Sequence, residues 1–276
     1  MRRSTLRCLL VIAALNAIAS CLPLQAATRM PVVRHKVAVI AHRGGKTFAP
    51  ENTLAAFRNA ISLGVDFVEM DVRETKDGGI VIMHDARVDR TTNGKGAVAD
   101  LDLATIRSLD AGSKFSRRFA GERVPTLDEV LNLCKGRVNV YLDYKAGSVE
   151  AIEQTLARHH MRGHVVVYGS VDGLRRWRSV APGIPVMPSV DQEYRHAGGM
   201  RQFLDVLRAE ILDGSATEWT RELIDETHQA GALVYVDGLG FPDNEAGYRK
   251  MIAMGVDGIQ TDHPDRLLAT LKSLGM

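Results

Sequence analysis

The chain has little to cross-link itself with and no excess charge of either sign. Its 276 residues include three cysteines, Cys8, Cys21 and Cys134. The first two fall in an N-terminal stretch that reads as a leader, so Cys134 stands alone in the mature protein and no internal disulfide can form. Lys and Arg number 35 against 33 Asp and Glu, a formal charge of +2, which gives no electrostatic footprint for a nucleic-acid partner. No apolar run reaches the roughly 20 residues that a bilayer span needs. Heptads, long repeats and low-complexity tracts are absent. With 45% hydrophobic and 25% charged residues, the composition excludes general disorder and leaves a soluble chain able to bury a sizeable core.

The N-terminus is patterned for export. Arg2, Arg3 and Arg7 precede the apolar stretch Leu9–Ala19, interrupted by Asn16, the layout of a signal peptide over residues 1–27. Two cleavage readings compete. Ile18-Ala19-Ser20-Cys21 resembles a lipobox, which makes Cys21 a lipidated first residue and an anchor to the membrane. Leu24-Gln25-Ala26 before Ala27 resembles an ordinary cleavage site and leaves 250 residues, the usual size of a (β/α)8 barrel. The expected location is the periplasm, soluble or lipid-anchored.

Downstream, short β-branched runs alternate with helical patterns, as parallel βα units do. Counting from Val37–Ala41, strands are expected at Asp66–Asp71, Val138–Asp143, His164–Tyr168, Ile184–Met187, Ala209–Leu212, Ala232–Val236 and Asp257–Thr261, eight in all, filling about residues 37–274. A further run, Ile80–Met83, follows Lys76-Asp77-Gly78-Gly79, a hairpin signal. It returns antiparallel, outside the barrel, and a turn centred on Asp77-Gly78 places Asp71 opposite His84. The expected fold is an α/β TIM barrel with an inserted subdomain after strand two, an excursion of about residues 72–125 over the barrel mouth. Thr91–Gly96 lacks phosphate-loop spacing and reads as a surface turn.

Strand parity then places charge where a core belongs. On the second strand Val68, Met70 and Val72 share the face under the helices, while Phe67, Glu69 and Asp71 face the barrel axis. On the third, Tyr141, Asp143 and Lys145 share the inward side. Glu69, Asp71 and Asp143 should therefore converge at one rim, and like charges buried together are costly. Either local cations such as Arg43 and Lys145 pair with them, or a divalent cation binds there. The all-oxygen donor set points to Ca²⁺ or Mg²⁺. His42 ends the first strand and His84 follows the hairpin, so two imidazoles flank the carboxylates as candidate proton donor and acceptor. Arg43 offers a fork and Lys145 a point charge to a phosphate. Together these residues suit phosphodiester hydrolysis.

The same residues resemble the glycerophosphodiester phosphodiesterase family. Its motifs are matched by His42-Arg43-Gly44, Pro50-Glu51-Asn52-Thr53, Glu69-Met70-Asp71-Val72, Lys76-Asp77-Gly78, His84-Asp85, Asp89–Gly94, Gly121–Leu127 and Gly255–Asp262 with Pro264, spanning about residues 37–268. The resemblance implies hydrolysis of small-molecule glycerophosphodiesters to an alcohol and glycerol 3-phosphate. It implies His42 and His84 as acid and base, Glu69, Asp71 and Asp143 as metal ligands, and Arg43 and Lys145 on the phosphate. Two departures stand out. Asp143 replaces the family's usual Glu, and Tyr235-Val236-Asp237-Gly238 replaces its Trp-Thr-x-Asn. The rival readings are a lysophospholipase D of the same superfamily, which a long apolar groove near residues 85–125 would favour though the sequence resolves none, and a surface lipoprotein that binds phosphodiesters without turnover. The paired histidines argue against the second. The sequence does not specify an oligomeric state.

Overall fold

Strand β1, Ala38–Ala41, has no exposed residue and pairs in parallel with two neighbours, β2 (Phe67–Glu74) and β9 (Gly258–Thr261). Around it a computed structural model describes residues 28–239 and 243–276. The leader over residues 1–27, with its lipobox, lies outside the described residues. The remaining strands are β3 (Ile80–Ile82), β4 (Asn139–Tyr144), β5 (Val165–Tyr168), β6 (Val186–Met187), β7 (Ile211–Ser215) and β8 (Leu233–Asp237). The helices are α1 (Leu54–Leu63), α2 (Leu103–Ser108), α3 (Leu127–Cys134), α4 (Val149–Arg158), α5 (Val171–Val180), α6 (Gly199–Leu207), α7 (Arg221–Gln229), α8 (Glu245–Met254) and α9 (Pro264–Ser273).

The strand order β6-β5-β4-β2-β1-β9-β8-β7 is a parallel eight-strand barrel, with β3 attached to β2 outside the ring. The ring closes at one point. Asp213 on β7 donates its N–H to Pro188 O at 2.9 Å, and its carbonyl accepts the Val190 N–H at 3.1 Å. The helix signals act as the sequence implies: Thr126 and Glu129 complete a capping box on α3, and Thr53 caps α1, which stops at Gly64 in the left-handed region (φ 85°).

Parity sorts the apolar side chains into two shells. Ala38, Ile40, Phe67, Tyr141, Val166, Met187, Ile211 and Tyr235 fill the barrel interior, with the Phe67 and Tyr235 rings edge-to-face at 6.0 Å. Val68, Met70, Val72, Val140 and Leu142 face outward and pack under the helices. The segment between β3 and α3 has a cluster of its own around Val81, Met83, Val88, Val98 and Ile106.

The β2–β3 hairpin corrects one expectation. Val72 pairs with Ile82 and Glu74 with Ile80, so Asp71 lies opposite Met83, not His84. The turn holds three residues rather than two. Thr75 N–H bonds Gly79 O at 2.8 Å, Gly78 takes φ +82°, and the Thr75 hydroxyl is bound to Asp77. A left-handed glycine ending a three-residue loop shifts the register by one.

The N-terminal end of the barrel is closed by residues 28–36. Asp66, whose side chain is fully buried, accepts hydrogen bonds from Arg34 N (2.6 Å), Val39 N (2.9 Å) and the His35 ring Nδ1 (2.8 Å). Met30 packs on the interior shell above it. Asp66→Ala strips these donors of their acceptor, and bonds to a buried charge contribute about 1.5–3 kcal/mol each, only partly lost if water enters. The expected loss is about 2–4 kcal/mol in urea unfolding with the barrel's circular dichroism unchanged. A loss below about 0.5 kcal/mol would show that the strap contributes nothing.

Candidate active site

Parallel pairing sets Glu69 level with Tyr141 and Asp71 level with Asp143. Both strands point these carboxylates inward at their C-terminal ends, and one oxygen from each of Glu69, Asp71 and Asp143 lies within 4.8 Å of the others. Glu69 and Asp71 are buried. Burial first, then the charges of Asp71 and Asp143, raise the Glu69 pKa well above the carboxylate range, against the Arg43 N–H that donates to Glu69 Oε2 at 2.7 Å. Burial likewise pushes Asp143 up to about 6, opposed by Lys145 and aided by Asp71. Glu69 and Asp143, which resist ionisation beside Asp71, are strained in their own protein's field. A divalent cation would remove that strain, and the all-oxygen donor set is of the kind that suits a hard ion.

The turn after β1 delivers the cationic partners. Arg43 sits in the left-handed region (φ 50°, ψ 32°), unusual for a non-glycine residue. Gly44 follows at φ 82°, where a Cβ would lie 2.8 Å from the Ala56 side chain. This tight turn aims the Arg43 guanidinium at Asp71 (3.4 Å) and Glu51 (2.9 Å). Its Nε is buried and makes no hydrogen bond. Lys145 Nζ lies 2.6 Å from Asp143 and 3.4 Å from Asp71. Asn52 donates to Asp71 Oδ2 at 2.7 Å. Arg43 and Lys145 thus stand on the carboxylates themselves, as the local-cation alternative expects, without dispersing the cluster.

Each histidine is held at Nδ1 by a carboxylate. His42, buried, meets Asp262 Oδ1 at 2.7 Å, and the other Asp262 oxygen meets Lys46 at 3.0 Å. His84, one-third exposed, meets Asp85 Oδ1 at 2.7 Å. Asp85 is held by Arg90 at 2.7 Å, which spans to Glu51 at 2.7 Å, the carboxylate that also binds Arg43. Burial opposes ionisation of Asp262, but His42 and Lys46 outweigh it and lower its pKa. The Arg90 hydrogen bonds do the same for Asp85. Among the described residues no hydrogen bond engages either imidazole Nε2.

Every residue singled out from sequence stands in or beside this cluster: Glu69, Asp71, Asp143, Arg43 and Lys145 in direct contact, His42 adjoining Arg43, and His84 close enough for its charge to act on Asp143. Sequence reading met Glu51, Asn52, Asp85 and Asp262 only as parts of motifs and gave them no role in the site, and it did not single out Lys46. Parity along β9 carried a signal for Asp262, two positions beyond the inward Gln260, and Asp85 adjoins His84 in the chain. It also passed over Asp213 and Asp237, inward at the ends of β7 and β8. Burial, reinforced by the Asp237 charge, pushes Asp213 up to about 8. Ser189 donates to it at 3.3 Å and is itself bound to the Tyr168 hydroxyl at 2.9 Å. An open groove of about 690 Å³ runs from Asp143 and Lys145 past Tyr168, Ser189 and Tyr194.

Residues 42–266 match the model of the glycerophosphoryl diester phosphodiesterase family. A glycerophosphodiester phosphodiesterase of Caldanaerobacter subterraneus subsp. tengcongensis is 36% identical over 250 residues, covering 87% of this chain and 100% of that protein. A glycerophosphodiester phosphodiesterase from Agrobacterium tumefaciens superposes with a TM-score of 0.77 at 32% identity, over 84% of this chain and 99% of that one. An Oleispira antarctica phosphodiesterase, solved with the product sn-glycerol-3-phosphate, gives 0.78 at 26% identity over 85% and 96%.

Asp213 generates a stability prediction. A carboxyl whose pKa rises on folding, here from 3.8 to about 8, contributes most below the unfolded value and loses that contribution as pH climbs through the folded one. Asp213→Asn should therefore be neutral or mildly harmful near pH 4. It should stabilise the metal-free protein by roughly 1–3 kcal/mol at pH 9. Denaturation curves at the two pH values measure the difference; equal effects at both would refute the burial argument.

Proposed function

Because the chain belongs to the glycerophosphoryl diester phosphodiesterase family and is a phosphoric diester hydrolase, we propose that it cleaves glycerophosphodiesters, the deacylated phospholipids, to an alcohol and glycerol 3-phosphate, with a divalent cation held by Glu69, Asp71 and Asp143. The observation that carries this reading is the pairing of two imidazoles, each fixed at Nδ1 with Nε2 unengaged, beside a buried tri-carboxylate cluster. A binder without turnover needs no such pair. The product-bound Oleispira neighbour supports the choice of substrate.

A cation in this set would polarise the phosphoryl oxygen and lower the pKa of a bound hydroxyl. The chain's own groups do the rest. Arg43, whose Nε lies 3.4 Å from Asp71, and Lys145 would together supply positive charge to the developing oxyanion. One imidazole takes the proton of the attacking hydroxyl, from water or the substrate's own glycerol, and the other protonates the departing alcohol. The groove beyond Lys145 gives that alcohol room. Where the inserted segment meets the mouth, the cavity is about 190 Å³ and lined by Lys46, Glu51, Arg90 and Lys114. Pro50, Ala111 and Phe115 also line it, and a volume of that size leaves little room for an acyl chain, so the deacylated substrate is favoured over a lysophospholipid. The leader-like residues 1–27 support export to the periplasm, soluble or anchored at Cys21.

Four measurements test the proposal together. EDTA should abolish turnover of glycerophosphocholine, with Ca²⁺ or Mg²⁺ restoring it; full activity in rigorously metal-free protein would overturn the metal assignment. His84→Ala should lower kcat by about 10²- to 10⁴-fold, as loss of one general acid or base does. A nitrophenyl phosphodiester, whose leaving group needs no proton, should recover turnover in whichever histidine variant lost the acid. Faster cleavage of a lysophospholipid than of glycerophosphocholine would select the rival substrate class.

A further inference from the structure

We propose that Asp262 is a positioning residue that fixes the tautomer of His42, and that Lys46 fixes Asp262 in turn. The inference rests on His42 acting in proton transfer as set out above. The geometry is specific. Asp262 lies on the residue following β9, on the opposite flank of β1 from the carboxylate cluster, and shares no atom with that cluster. One oxygen stands 2.7 Å from His42 Nδ1 and the other 3.0 Å from Lys46 Nζ, so both lone-pair faces are committed to donors. Its backbone is pinned as well. Asp262 N–H donates to Asp243 Oδ2 at 3.0 Å, and its carbonyl accepts the Thr47 hydroxyl at 3.0 Å, which joins the loop after β9 to the turn carrying His42.

An ionised carboxylate accepts only, so the imidazole nitrogen that faces it must carry the proton. The neutral His42 tautomer is then Nδ1–H, and its lone pair sits on Nε2, where a base needs it. When Nε2 takes a proton, the imidazolium remains paired with Asp262 and its charge is stabilised in place. Lys46 decides what happens when the carboxylate is replaced by an amide. In Asp262→Asn the side-chain oxygen turns to the lysine ammonium, its better donor, and the amide NH₂ faces His42. A donor facing Nδ1 requires the lone pair there and drives the proton to Nε2, the wrong nitrogen for a base. The change is isosteric, so packing is preserved while the tautomer inverts.

The test uses the full enzyme with divalent cation and glycerophosphocholine. Asp262→Asn should lower kcat by about 10²- to 10⁴-fold with KM within about threefold, since an inverted tautomer costs as much as losing the base. Nitrogen-15 spectra of histidine-labelled protein, with His42→Ala identifying the resonance, should place the neutral His42 proton on Nδ1 in the parent and on Nε2 in Asp262→Asn. The double variant His42→Ala/Asp262→Ala should be no slower than His42→Ala, because a residue acting only through another has nothing further to lose. If Asp262→Asn folds poorly, the parent spectrum still decides: a neutral His42 with its proton on Nε2 overturns the inference, and Lys46→Ala, which leaves the carboxylate facing Nδ1, should keep the Nδ1–H tautomer. Near-parental kcat in Asp262→Asn beside an inactive His42→Ala overturns the inference and leaves the reading of His42 intact. Multiplying losses in the double variant also overturn it, by giving Asp262 an independent role. Full turnover by His42→Ala would instead remove the proposed function of His42 and this inference with it.

Discussion

Holding three carboxylates in one buried rim is the constraint around which the upper half of this barrel is arranged. Glu69, Asp71 and Asp143 repel one another in a medium that screens poorly, and the protein supplies what compensation its backbone can reach. Arg43 must give both its N–H and its guanidinium to the cluster, which requires the left-handed backbone at Arg43 and a glycine at position 44. Asn52, itself at φ 57°, donates to Asp71. The irregular path between β1 and α1 is therefore a consequence of the acids, not an accident of loop closure. The compensation remains incomplete: Glu69 and Asp143 stay raised with every local cation in place.

Much of this was legible before any coordinates. Parity along β2 and β4 named the inward acids because a parallel strand has a strict two-residue period and both its faces are buried, so an inward carboxylate stands out against an apolar expectation. His42 and His84 were legible from their place at strand ends. The failures share a cause. The hairpin register slipped by one because a single φ, that of Gly78, decides between a two- and a three-residue loop, and dipeptide chemistry does not fix it. His84 nonetheless reaches the site, since its route runs through the Asp85–Arg90–Glu51 chain rather than through a ladder partner on β2. Asp262 contacts a residue 220 positions away, and Glu51 meets Arg90 across 39; neither separation has a sequence period to betray it.

One strand shows how stability and chemistry are separated. Asp66, just before β2, is satisfied by backbone and ring donors from the N-terminal strap and shows the behaviour of a structural acid. Asp71, five residues on, is surrounded by partners that hold it without neutralising the cluster it belongs to. The same side chain, equally buried, serves closure at the N-terminal end of the barrel and, in the function proposed above, holds the cation at the C-terminal end, as barrels of this architecture divide the work.

The mouth is polarised across its width. Arg43, Lys145 and Lys46 gather on the side of β1, β2 and β4, while Asp213 and Asp237 occupy the ends of β7 and β8 with no cation bound to either among the described residues. Burial keeps Asp213 largely protonated near neutral pH, so the far side is polar rather than strongly anionic. The departure at Tyr235-Val236-Asp237-Gly238 belongs to that far side, and the shortened third acid, Asp143, belongs to the side where cations and carboxylates alternate, with Lys145 between it and Asp71. Both differences from the family pattern therefore fall among the charged groups of the mouth and leave untouched the contacts of the two imidazoles, which are made by Asp262 and Asp85.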